Sequence, residues 1–150
     1  DWQNHKMPAL IFVGEGEMEQ KLRSLAPDAI FLGFKNQSEL PPIYNLADVI
    51  VLPSEFEPWG LVINEAMSAS TAIIASDKIG SSKDLVINGI NGFIFKSENL
   101  ESLTTILEKT LSNKETLLDM AEKSEEIIKD WNYEKDLEGI ISALDSNDKK

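Results

Sequence analysis

The sequence contains no cysteine and only one histidine, His5, among its 150 residues. The absence of cysteine excludes disulfide bonds and thiolate metal sites. His5 stands in a polar amino-terminal stretch, where we expect a solvated side chain rather than a catalytic one. No cluster of oxygen or nitrogen ligands is visible elsewhere in the sequence, so we predict neither a metal site nor a cofactor.

Positive charge is also scarce, because 14 Lys and Arg face 26 Asp and Glu for a net charge of -12. A chain this acidic repels nucleic acid and anionic lipid, although backbone amides can still hold one phosphorylated ligand locally. No apolar run approaches the roughly 20 residues that span a bilayer. No secretory pattern opens the sequence. We therefore expect a cytoplasmic protein with no transmembrane segment and no nucleic-acid partner.

The composition is that of an ordinary soluble domain, with 42% hydrophobic and 27% charged residues. A chain of this length fits one domain, residues 1–150, and can bury a core of its own. A buried type of strand begins directly after the polar residues 1–8. This abrupt start indicates a fragment of a longer protein.

Short apolar runs that end at glycine or proline alternate with amphipathic segments. Such runs are typical of strands buried on both faces of a parallel sheet, joined by right-handed helical crossovers. The sequence therefore predicts an α/β class with a Rossmann-like parallel sheet flanked by helices. The predicted strands cover residues 9–13, 29–32, 49–52, 72–75 and 93–95. The predicted helices cover residues 17–25, 38–47, 60–69, one turn at 84–86, and about 99–144 with breaks near 113 and 132. Residues 145–150 are predicted to be a frayed tail.

The richest segment for function lies at residues 53–67, after the third predicted strand. Ligands of open α/β sheets bind beyond the carboxyl ends of the strands. A helix begins there near Gly60, and the amides of Trp59, Gly60 and Leu61 have no intrahelical acceptor. The helix dipole favours an anion at this end, and Gly60 has no side chain to obstruct its approach. These residues predict a diphosphate site.

Two carboxylates flank the predicted diphosphate site. Glu65 lies just beyond the first helical turn and can accept hydrogen bonds from vicinal hydroxyls, such as those of a ribose. Glu57 precedes the helix and can do the same for a sugar ring. An anion site between two hydroxyl-binding acids is the arrangement that a nucleoside-diphosphate sugar requires.

At this point the sequence resembles a known family. The two glutamates are separated by seven residues. They occur in the setting Pro-Ser-x-x-Glu-Pro-aromatic-Gly and then Glu-Ala-Met, which resembles the signature of group 1 (family 4) retaining glycosyltransferases. The resemblance covers about residues 9–131. Its other parts are Val13-Gly14-Glu15-Gly16, Leu32-Gly33-Phe34, Ala47-Asp48-Val49, Ile73-Ile74-Ala75-Ser76, Asn88-Gly89-Ile90-Asn91-Gly92-Phe93 and Trp131-Asn132-Tyr133.

The resemblance implies the carboxy-terminal, nucleotide-sugar-binding half of a GT-B enzyme. It implies that Glu57 is the catalytic residue that contacts the donor sugar and that Glu65 binds the nucleotide ribose. The donor would be a UDP-, GDP- or ADP-sugar, transferred with retention to a glycan or lipid acceptor in polysaccharide biosynthesis. The remaining residues assigned to donor binding are Pro58, Trp59, Gly60, Leu61, Phe34 at the base, and Gly14 and Gly16.

The same resemblance implies that parts of the enzyme are missing. The amino-terminal acceptor domain is absent, and through it the protein could attach to the inner membrane face. An Arg and a Lys that neutralise the donor phosphates in the family would precede Asp1. Lys35, Lys78 and Lys83 are possible substitutes. The family's terminal helix crosses to the other domain, which would leave an apolar interface at Ile140, Ile141 and Leu144. The alternative is that this apolar side closes the core of the domain.

Some features depart from the family pattern or leave alternatives open. Ser70-Thr71-Ala72 stands where Gly-x-Pro is common, and Asp84 replaces a glutamate in the following loop. The same scaffold could be a non-catalytic nucleotide-binding or interaction module. A glycosidase pair of carboxylates is disfavoured because the adjacent helix start indicates a phosphate leaving group. A receiver-like phosphoacceptor is disfavoured because Leu52-Pro53 stands where its aspartate would be.

Overall fold

The computed structural model describes residues 8–147. The predictions for His5 and for the last three residues of the tail lie outside the described residues. The elements follow one another as β1 (Ile11–Phe12), α1 (Glu19–Leu25), β2 (Ile30–Phe31), a 3-10 turn (Gln37–Glu39), α2 (Leu40–Tyr44), β3 (Val49–Leu52), α3 (Leu61–Ser68), β4 (Ala72–Ser76), α4 (Ser82–Leu85), β5 (Gly92–Phe95), α5 (Leu100–Leu111), α6 (Lys114–Ile128) and α7 (Tyr133–Asn147).

Every strand pairing among the described residues is parallel, which confirms the predicted α/β class with a Rossmann-like arrangement of strands and helices. The strands form two ladders, one of β1 and β2 and the other in the order β3-β4-β5. In the larger ladder Val49 aligns with Ala72, and Ile73 aligns with Gly92. The carboxyl ends of the three strands therefore lie at one edge.

The central strand β4 is the most buried element of the protein, with all five of its residues inaccessible to solvent. The helix α3 packs against it through Ile63 and Met67, and Tyr44 of α2 completes this core. On the other side Ala72 packs with Leu117 and Met120 of α6. The strand-to-helix connection from β3 to α3 is thus fixed by the best-buried part of the molecule.

The boundaries of several helices differ from the predicted ones. The helix predicted over residues 38–47 ends at Tyr44, because the amides of Leu46 and Ala47 bond three residues back and tighten the chain. The turn predicted at 84–86 begins earlier, and Val86 is already extended. The last helix continues to Asn147, so residues 145–147 are helical rather than part of a tail.

The carboxy-terminal helices begin at asparagine caps. Asn99 accepts a hydrogen bond from the amide of Ser102, and Asn113 does the same for Glu115. The helix α7 carries the predicted apolar face, and Leu137, Ile140, Ile141 and Leu144 are all at least half exposed. Within the described part of the chain, no helix combines the length and apolar character needed to cross a membrane.

Candidate functional site

The loop between β3 and α3 is joined to the loop that follows β4. The amide of Glu57 donates to the carbonyl of Lys78 at 3.1 Å, and the amide of Gly80 donates back to the carbonyl of Glu57 at 3.0 Å. A third bond runs from the amide of Ser81 to the carbonyl of Trp59 at 2.9 Å. This short parallel bridge holds Glu57 at the carboxyl edge of the sheet.

Two glycines permit this close contact between the loops. A Cβ at Gly80 would collide with the carbonyl of Pro58. Gly60 has a φ of 88°, in the left-handed region that favours glycine, and a Cβ there would lie 2.7 Å from the side chain of Ile79. Gly60 is therefore required by the protein's own packing, a reason separate from the predicted approach of a ligand.

The helix α3 begins directly after Gly60, which is its N-cap residue. The amide of Ile63 bonds to the carbonyl of Gly60 at 2.9 Å. The amides of Leu61 and Val62, in the first turn, have no acceptor within the helix. The helix therefore begins where the sequence predicted.

One pocket joins the two predicted acids to the start of this helix. Its volume is about 420 Å³, within the usual range for small-molecule sites. Its lining comes from the end of β3, the loop and the first turns of α3: Leu52, Glu57, Pro58, Trp59, Gly60, Leu61, Val62 and Glu65. Glu57 and Glu65, which the sequence placed on either side of an anion site, thus both line a common cleft.

Glu65 has a partner that the sequence analysis missed. The hydroxyl of Tyr44 donates to Oε2 of Glu65 at 2.8 Å. Burial raises the pKa of Tyr44 above its ordinary value, and the hydrogen bond to the Glu65 carboxylate and its charge raise it further. No local motif announces this pair, because it joins residues 21 positions apart.

Trp59 belongs to the pocket loop, residues 53–60, and its side chain is held by two contacts. Its Nε1–H donates to Oδ1 of Asn64 on α3 at 3.0 Å. Its ring contacts Trp131, which follows α6. Trp59 is one of the predicted donor-site residues, whereas Asn64 is not, and Trp131 entered the prediction only through the family resemblance.

The other predicted donor-site residues lie in a separate loop pair, and none of them lines the pocket. Gly14 follows β1, and its amide donates to the carbonyl of Gly33 at 2.8 Å. The side chain of Phe34 is 66% exposed, and its amide donates to the carboxylate of Glu15 at 3.3 Å. Gly16 is exposed and has open space around it.

The described pocket is acidic. None of its lining residues carries a basic side chain. Of the three lysines considered as substitutes, Lys35 forms an ion pair with Glu39 at 3.6 Å, while Lys78 and Lys83 are exposed and outside the lining. Among residues 8–147 there is also no group of three acidic or histidine side chains that could hold a metal ion.

The sequence of the chain is similar to those of glycosyltransferases. The family described as glycosyl transferases group 1 matches residues 2–127. The chain is 33% identical over 110 residues to an uncharacterized glycosyltransferase of Methanocaldococcus jannaschii, covering 69% of this chain and 28% of that protein. It is also 33% identical over 129 residues to the sulfoquinovosyl transferase SQD2 of Arabidopsis thaliana, covering 81% of this chain and 25% of the relative.

A similar fold occurs in a solved structure of Alr3699/HepE from Anabaena in complex with UDP. The TM-score is 0.74 at 24% identity, covering 92% of this chain and 41% of that one. The chain spans only about a quarter of the length of the two curated relatives above. Since the family match covers most of the chain, the protein belongs to the group 1 glycosyl transferases.

Proposed function

We propose that this chain is the donor-binding part of a retaining GT-B glycosyltransferase and holds a nucleoside-diphosphate sugar in the pocket beside α3. The observation that carries the proposal is the common cleft of Glu57, the start of α3 and Glu65. A cleft beyond the carboxyl ends of parallel strands is where open α/β sheets bind their ligands.

The diphosphate would lie against the first turn of α3. The free amides of Leu61 and Val62 supply hydrogen-bond donors, and the helix dipole adds partial positive charge. Gly60, whose backbone is left-handed, leads into this first turn. It has no side chain that would obstruct the diphosphate. Anions are stabilised at such helix starts without further cationic groups, although more weakly than with them.

The two carboxylates would bind hydroxyl groups at the two ends of the donor. Glu65 accepts from the ribose, and Glu57 accepts from the transferred sugar. Because an ionised carboxylate only accepts hydrogen bonds, the two acids select hydroxyl-bearing groups and repel a misplaced phosphate. Catalysis would consist of positioning the donor and stabilising the charge that develops on the leaving diphosphate.

The acidic lining leaves the diphosphate incompletely neutralised. We expect the rest of the protein to contribute basic side chains from a segment before residue 1, together with the acceptor domain. The length of the curated relatives supports this, since the chain corresponds to only 25–28% of them. The 150 residues alone should therefore bind a nucleotide weakly and transfer no sugar.

The donor class is a UDP-, GDP- or ADP-hexose, and the acceptor is a glycan or a lipid. The relatives and the UDP and UDP-glucose complexes of HepE support a nucleotide-sugar donor. We propose a cytoplasmic role in polysaccharide or glycolipid synthesis, with membrane attachment through the acceptor domain.

Calorimetric titration with UDP, GDP and ADP tests the proposal. The wild-type chain should bind at least one of them, and Glu65→Gln should weaken that binding. Glu57→Gln should weaken binding of the nucleotide sugar while leaving the nucleoside diphosphate unaffected. Glu55→Gln is the matched control, because Glu55 is exposed in the same loop and outside the pocket.

Absence of binding to all three nucleotides would contradict donor binding and favour an interaction module. Measurable sugar transfer by these 150 residues would contradict the dependence on a missing part.

A further inference from the structure

Tyr44 is the buried residue through which the short helix α2 contacts Glu65, a residue of the pocket lining. Its side chain is only 7% exposed and packs in the core with Ile63 and Met67. Its own carbonyl accepts a hydrogen bond from the Thr71 hydroxyl at 3.3 Å, immediately before β4. The ring is therefore packed in the buried core, and the backbone of Tyr44 is bonded to the residue that precedes β4.

The hydroxyl of Tyr44 is the one polar atom of a side chain that is otherwise in apolar surroundings. A buried phenol normally finds a hydrogen-bond partner, since leaving it unpaired is costly. Its partner here is Oε2 of Glu65, at 2.8 Å. Burial raises the pKa of Tyr44, and Glu65 adds to this effect, so the phenol remains a neutral donor at physiological pH.

The bond restricts what Glu65 can do. An ionised carboxylate offers about four lone-pair sites. Tyr44 occupies one of them on Oε2 and fixes the direction of the carboxylate, while Oε1 and the other sites remain for a ligand. A glutamate side chain on the first turns of a helix otherwise has several accessible rotamers, and ordering it on binding would weaken the complex.

We propose that Tyr44 is a positioning residue for ribose recognition, which holds the Glu65 carboxylate in the orientation that accepts the ribose hydroxyls. The inference rests on the proposed donor site. It adds a residue outside the pocket lining, from a different helix, that acts on the ligand through Glu65.

The test is Tyr44→Phe in the 150-residue chain, titrated with UDP, GDP and ADP and with the 2′,3′-dideoxy form of each. For the nucleotide that the wild type binds, the variant should bind about tenfold more weakly, as expected for loss of one hydrogen bond to a charged group. The dideoxy form should lose less than about twofold, because it has no ribose hydroxyl for Glu65 to bind.

Two further variants separate positioning from general damage. Tyr133→Phe is the matched control, since Tyr133 is 90% exposed, and it should bind every nucleotide as the wild type does. In the double variant Tyr44→Phe with Glu65→Gln, the affinity should equal that of Glu65→Gln alone, because the two residues act as one unit. Circular dichroism should show all variants folded.

Equal losses for the ribose and dideoxy nucleotides would indicate a merely structural effect of Tyr44 and would overturn the inference. Unchanged ribonucleotide binding in Tyr44→Phe would also overturn the inference. The proposed donor site would still be supported in that case, because the wild-type chain binds the nucleotide. No binding by the wild type would overturn both.

Discussion

The indole rings of Trp59 and Trp131 contact each other, with centroids 5.8 Å apart and ring planes inclined by 46°. Trp59 belongs to the pocket loop, whereas Trp131 lies between α6 and α7. The pocket loop is therefore supported by the carboxy-terminal helices as well as by the sheet.

Trp131→Ala should loosen the pocket loop and weaken nucleotide binding. Loss of an aromatic pair costs about 0.5–1.5 kcal/mol beyond lost burial, so urea titration should show the unfolding free energy lowered by roughly 1–2 kcal/mol. Trp131→Phe should restore most of both losses. The control Tyr133→Ala removes an aromatic ring from a 90% exposed site and should leave nucleotide affinity unchanged. Wild-type affinity in Trp131→Ala would argue against support of the loop by Trp131.

Gly60→Ala should unfold the pocket loop. Alanine at this position would have to keep the left-handed backbone, and its Cβ would lie 2.7 Å from the side chain of Ile79. The left-handed backbone alone costs about 1–2 kcal/mol, and the contact adds to it. Gly139→Ala is the matched control in α7, where a Cβ meets nothing within 4 Å. It should raise the unfolding free energy by about 0.5–1 kcal/mol. Thermal denaturation should distinguish the two variants. A Gly60→Ala variant as stable as the wild type would contradict the requirement for glycine at this position.

The phenol of Tyr44 should ionise only well above its ordinary pKa of 10.0. The chain has two tyrosines, so in Tyr133→Phe the ultraviolet absorbance of phenolate reports Tyr44 alone. The stabilisation linked to neutral Tyr44 is complete below pH 10.0 and is lost as pH rises through the raised pKa. Glu65→Gln should lower the titration midpoint because it removes a negative partner. A midpoint at the ordinary value in the folded protein would contradict the Tyr44–Glu65 bond.

The helix α7 should be poorly protected in amide hydrogen exchange. Its apolar residues Ile140 and Ile141 are 59% and 50% exposed, while Ile73 and Ile74 of β4 are fully buried. Local opening is easiest where few apolar contacts are lost. Amides of β4 should therefore exchange slowest and those of α7 much faster. If the amides of α7 exchanged as slowly as those of β4 in dilute solution, this prediction would be wrong.

The sequence predicted the elements with strong, uninterrupted patterns. The strand at residues 49–52 and the helix break at Asn113 agree with the structure, because a continuous apolar run and an asparagine cap are local signals. The start of α3 after Gly60 was also predictable from the proline that ends β3 and the glycine that follows. These elements bring Glu57 and Glu65 to one cleft.

What could not be predicted depends on contacts between distant segments. Nothing near Tyr44 indicates that its hydroxyl reaches Glu65, and nothing near Trp131 indicates Trp59. The sequence also assigned Gly14, Gly16 and Phe34 to donor binding, yet they lie outside the described pocket. That assignment remains a prediction. The three residues follow β1 and β2, which in the described part of the chain form a ladder separate from the one beside the pocket.

The composition of β3 is unusual for its position. Val49–Leu52 is wholly apolar, yet within the described residues it borders the larger ladder and pairs only with β4. Strands at such borders usually carry a lysine, a proline or a bulge that discourages addition of another chain, whereas the four residues of β3 include no lysine or proline and Pro53 comes only after the strand. Addition of another copy along this outer row of amides and carbonyls is therefore the route by which we expect the isolated polypeptide to self-associate at high concentration.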